Sequence, residues 1–246
     1  MIRYFLISIF LVVVGSASSA QCNFKTGEFI EEMGDPGAIV QMEIEVFKSA
    51  KYAKNLMKTI LSSSDNIPPK LRIRFKAAVK VHYNFGVCEY SSTIRQSGDW
   101  KDHIQFLPGG ILVRSLDVKL KEGNVMGAVR FKLLIPETRG DINEVLAALI
   151  LKNAGFISPE TFEIDTIVNG IQARMLFQET VRKETLEKNS RRESAIFEGD
   201  EELVWSYKNF VVGALEQISL SRMENSNWFL KGRTSEEISL RAYSKL

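Results

Sequence analysis

Lys132 and Glu144 are the two side chains whose types and spacing suggest chemistry. Both lie in RFKLLIPETRGDINEVLAALIL, residues 130–151. The segment opens as an alternating strand, with Arg130 and Lys132 on one side and Phe131 and Leu133 on the other. It continues as a helix with Glu144 in the first turn. A lysine held by a carboxylate is a fixed point charge suited to a phosphate or another anion. A plain alternative stands beside this reading. Asp141 caps the helix, Glu144 completes something close to a capping box, and Val145, Leu146, Leu149 and Ile150 form a buried stripe. Lys132 is then an ordinary residue on a wet strand face.

Few other sites compete. The sequence has no G-x-S-x-G elbow and no phosphate loop of the G-x-x-x-x-G-K-[ST] type. His82 and His103 stand in no metal-ligand spacing. Arg139-Gly140-Asp141 is explained by a turn before a helix.

The elements that must position Lys132 and Glu144 read as α+β. Ile39–Phe47 alternates as a strand and leads into a basic helix over 48–61 with Tyr52, Leu56 and Ile60 on one face. Pro68-Pro69 forbids its continuation. LRIRFKAAVKVHYNF (71–85) has the clearest period of two, with an apolar residue at every odd position. Its even positions carry Arg72, Arg74, Lys76, Lys80 and His82, so one face is buried and the other wet and positive. Strands follow over 87–95 and 111–120. Asn169-Gly170 between two alternating runs predicts a hairpin, because both central positions want positive φ. An amphipathic helix is predicted over 200–220, capped by Asp200, and a last short helix begins near Ser235-Glu236.

Arg3, the apolar run Tyr4–Val14, and Ser18 and Ala20 at −3 and −1 predict a secretory leader cleaved after Ala20. The expected location is secreted, periplasmic or cell-surface, with no transmembrane segment once the leader is removed. In such a compartment Cys22 and Cys88 are free to pair, and two buried thiols are the equal alternative. The formal charge of +2 gives no global case for nucleic acid.

The order of the pieces FKLLIPETRG, NEVLAALILKNAGFISPETF, EIDTIVNGIQARMLFQE and IFEGDEE resembles the spore coat protein H (CotH) kinase family, with CEYSSTIRQSGDWKDHI and SLDVKL upstream. The resemblance covers roughly residues 70–205. It implies an antiparallel sheet with an inserted helix, like the N-lobe of a divergent protein kinase, followed by C-terminal helices. The organisation it implies is a leader over 1–20, a strand-helix segment over 21–69, an N-lobe over 70–199 and a helical, truncated C-lobe over 200–246. It further implies ATP with Mg²⁺ and a protein substrate. Lys132 matches the nucleotide-phosphate lysine and Glu144 its acidic partner. Arg95 and Gly98 match a turn over the phosphates, and Gln178 and Glu179 the adenine-contacting hinge. No aspartate follows Asp200, so catalytic and metal-binding aspartates have no counterpart. The expectation is a truncated or degenerate homologue that binds ATP or another anion. The alternative is a non-enzymatic envelope module that binds a protein or glycan on the basic face of Arg72, Arg74, Lys76 and Lys80.

Overall fold

The computed structural model describes residues 21–24, 32–63, 67–98, 101–199 and 221–245. Its centre is a closed seven-stranded barrel. The staves are β2 (Ile39–Val46), β3 (Phe75–Tyr83), β4 (Gly86–Gln96), β7 (Leu116–Leu120), β8 (Arg130–Leu134), β9 (Thr161–Val168) and β10 (Ile171–Glu179). Around the barrel the order is β4-β3-β2-β9-β10-β8-β7, and β7 returns to β4. All pairings are antiparallel except β2 with β9. A short hairpin of β5 (Ile104–Leu107) and β6 (Ile111–Arg114) stands outside the ring.

Closure depends on the length of β4, which spans 11 residues. Its first half pairs with the N-terminal β1 (Gln21–Phe24), and its second half, Ser92–Gln96, pairs with β7. A disulfide joins the directly opposed Cys22 and Cys88. Each stave alternates in and out of the lumen, as period-two strands must. Met42 and Ile44, Val79 and Val81, Ile94, Val118, Phe131 and Leu133, Met175 and Phe177 all point inward and are fully buried. Phe177 stacks between Phe131 and Phe162, with both ring centroids at 4.7 Å. Burying each such ring is worth about 1.5–3 kcal/mol. The lumen is a packed core.

This architecture overturns the expected kinase-like lobe. Such a lobe needs an open sheet with a helix laid against it; here the sheet bends until its two ends meet. The helix between β8 and β9, α2 (Asn143–Asn153), buries none of its residues. Leu146, Leu149 and Ile150 are exposed, where the sequence predicted a buried stripe. The physical reason is that strand side chains already fill the barrel and leave the helix nothing to insert into. Asp141 is not the cap either: it takes a positive φ of 55°, and Ile142 holds the cap position.

The other elements decorate the two ends. Helix α1 (Ser49–Ile60) covers the end where β2 and β9 finish, with Tyr52 edge-on to Phe75 at 5.5 Å. Helix α3 (Lys183–Lys188) covers the opposite end, followed by β11 (Phe197–Gly199) paired with β12 (Ser221–Met223). Short α4 (Ser226–Phe229) and α5 (Arg233–Tyr243) finish the chain, the latter where the final helix was expected. The leader and the helix predicted over 200–220 lie outside the described residues. Among the described residues no helix is long and apolar enough to cross a membrane.

Candidate functional site: a cationic cleft on the outer wall

The outward positions of four adjacent staves form one polar row. Arg95 on β4 lies opposite Asp117 on β7, Asp117 opposite Lys132 on β8, and Lys132 opposite Gln178 on β10. Asp117 is the hub, only 1% exposed. Its Oδ2 accepts from Arg74 Nη2 at 2.8 Å, Arg95 Nε at 2.7 Å and Arg130 Nη2 at 2.6 Å. Its Oδ1 accepts from Arg130 Nε at 2.9 Å, which makes the Arg130 contact bidentate. Burial works to raise the Asp117 pKa, but the hydrogen bonds and charges of Arg130 and Arg74 outweigh it and hold the carboxyl well below the usual carboxylate range.

One aspartate cannot neutralise three guanidiniums and the neighbouring lysine. Arg95, Arg130 and Lys132 line a cleft of about 310 Å³ that continues to Gln178, Glu198 and Glu224. Glu224 is engaged by Arg182 at 2.5 Å. Lys132 has no ion-pair partner within 4.0 Å among the described residues, and burial pulls its pKa below the ordinary value. Glu198 and Asp117 favour its charge, while Arg139 and Arg130 oppose it. A partly desolvated ammonium among arginines is a place where an added anion gains more than on an open surface.

The sequence-predicted residues divide. Arg95, Lys132, Gln178 and Glu179 all line the cleft. Glu144 does not meet Lys132: its Oε1 accepts from Gln178 Nε2 at 2.6 Å, one stave further round. Gly98 lies outside the cleft. It takes φ +83° and presses on His103, where an added Cβ would stand 1.9 Å from Cδ2. That close approach explains the glycine by packing. Glu179 touches the cleft but turns its carboxylate inward to Thr185 and Lys188, at 2.7 Å each. The basic face of β3 is also partly spent. Arg74 serves Asp117, Arg72 Nε donates to the Ile67 carbonyl at 3.1 Å, and Lys80 lies 3.9 Å from Glu89.

Asp117 is the functional residue that sequence reasoning passed over. Its signal was present: an aspartate in the middle of SLDVKL is out of place in a strand unless something pairs it. Mg²⁺ with ATP, implied by the family resemblance, does not fit here. Among the described residues no three acidic, histidine or cysteine side chains gather to hold a metal, and guanidiniums occupy the Asp117 oxygens. These features define the chain as a closed barrel with a cluster of cations on its outer wall. No family model matches the chain, and a search of curated proteins finds no similar one. The resemblance to the CotH family therefore rests on the quoted motifs alone.

Proposed function

We propose that this is an exported, non-enzymatic binding protein that holds an anionic group in the cleft at Lys132. The group is a tetrahedral oxyanion, phosphate or sulfate, carried by a larger partner in the cell envelope. The observation that carries the reading is Lys132 itself, desolvated and without an ion pair among the described residues, beside three arginines fixed by Asp117. Export is supported by the leader-like residues 1–20 and by the Cys22–Cys88 disulfide, a bond that persists in oxidising compartments.

Sulfate is the suitable probe, because it stays dianionic across the pH range and any pH dependence then belongs to the protein. Calorimetric titration at low salt should show binding that weakens at least about tenfold in Lys132→Ala, the loss of one charge-assisted contact. The sign of the pH effect follows from the shift. Affinity is highest with Lys132 protonated and falls as pH rises through its pKa, which lies below 10.5. Equal binding by wild type and Lys132→Ala, or none by either, would remove the cleft from consideration.

A further inference from the structure

The cleft at Lys132 does not end at Arg130. Beyond it lies a second cleft of about 410 Å³, walled by β7, β8, α3 and α4. The two share Arg130 and Glu224, so they form one trench along the outer wall. The strand register sets its spacing. Asp117 lies opposite Lys132, and Lys119 lies opposite Arg130. Two residues separate the pair on each strand, so all four side chains leave the same face. Lys119 and Lys132 are therefore diagonal neighbours, about 7–8 Å apart at their backbones.

Most charges along the trench are answered within it. Asp117 holds Arg130 in a bidentate pair, Arg182 holds Glu224 at 2.5 Å, and Lys231 holds Glu193 at 2.5 Å. Lys183 lies 3.9 Å from Glu187. Lys119 is exposed and, like Lys132, has no ion-pair partner within 4.0 Å among the described residues. Two carboxylates oppose an anion here: Glu198, which favours the charged form of Lys132, and Glu184 on α3. The wall thus offers two unpaired ammoniums, with the Asp117-held guanidinium of Arg130 beside both.

We infer that the ligand of this wall carries at least two tetrahedral oxyanions on one saccharide, one held at Lys132 and one at Lys119. The inference rests on the reading of the Lys132 cleft as an anion site, and adds that a lone oxyanion fills only half of it. A single contact to an exposed ammonium is weak, because water and salt screen it. Two linked anions make the second contact intramolecular, and a short linkage then multiplies the affinity. Exposed Ser226 and Asn227 line the Lys119 cleft as neutral hydrogen-bonding groups, which suits a hydroxyl-bearing carrier. Sulfated and phosphorylated sugars share this chemistry.

Calorimetry on the purified protein at low salt compares sulfate with sucrose octasulfate and inositol hexakisphosphate, which separate a sulfated from a phosphorylated partner. At least one of the two polyanions should bind at least about tenfold more tightly than sulfate. Lys119→Ala should weaken that polyanion at least about threefold and leave sulfate unchanged, whereas Lys132→Ala weakens both. Lys80→Ala, on β3 outside the trench, should change neither. No gain of either polyanion over sulfate, or an equal loss in Lys80→Ala and Lys119→Ala, would overturn the inference. Sulfate weakened by Lys132→Ala with the polyanion indifferent to Lys119→Ala overturns the two-point ligand alone. Sulfate and polyanion both indifferent to Lys132→Ala overturn the reading of the Lys132 cleft as well. Circular dichroism of each variant establishes that the protein tested is folded.

Discussion

The two ends of the barrel solve the same problem differently. At the α3 end the last inward residue of β10, Glu179, is 3% exposed and fully answered. It accepts from Thr185 Oγ1 and Lys188 Nζ at 2.7 Å each and from the Glu160 amide at 3.1 Å. At the α1 end Tyr52 is buried and lines open volume. A hydrogen-bonded plug at one end answers the buried carboxylate of Glu179. The other is covered mainly by apolar side chains of α1 and the β5–β6 hairpin, which leave a cavity of about 440 Å³. An answered polar group near a barrel mouth therefore reads as structure.

The largest change should come from what both ends share. Phe177→Ala removes the middle ring of the lumen stack, and we expect a loss of about 3–5 kcal/mol in urea-unfolding stability. A smaller loss, or one confined to a single end by hydrogen exchange, would show that the ends fold independently. Glu179→Gln tests the plug alone. It keeps the shape but removes the charge from Lys188 and turns an acceptor into a donor, so about 2–3 kcal/mol should be lost. Tyr52→Phe tests the opposite end and should change stability by no more than about 0.5 kcal/mol, in either direction. A destabilisation as large as that of Glu179→Gln would mean that the phenol is structural and that the ends are alike.

Much of the local structure was legible in the sequence. The alternation marks β3, whose odd positions from Phe75 to Tyr83 are buried, although the strand starts at Phe75 and leaves Ile73 exposed, and Asn169-Gly170 takes the positive φ angles, 47° and 82°, that its hairpin needs. Closure was not legible. It rests on β4 meeting β7 and on the parallel pairing of β2 with β9, contacts between segments far apart in the chain that leave no mark in a local pattern. The same blindness explains α2: Leu146 and Ile150 have the spacing of a buried stripe, but burial depends on whether the core has room. Lys132 stood out by residue type, and Arg95 and Gln178 only through the resemblance to the CotH family; the closed sheet brings the three to one cleft. The hub at Asp117 was missed because its three partners come from β4, β8 and the approach to β3, which only the closed sheet gathers.

Asp117 also sets the range of conditions in which the outer wall keeps its form. Its folded-state pKa is depressed, so the stability it contributes is complete above the ordinary value of 3.8 and is lost only as pH falls toward the depressed one. Arginines do not titrate in that interval. From neutral to acid pH the aspartate remains ionised and the three guanidiniums remain aimed as they are. The hub that orders the outer wall therefore keeps its charges from neutral pH well into the acid range.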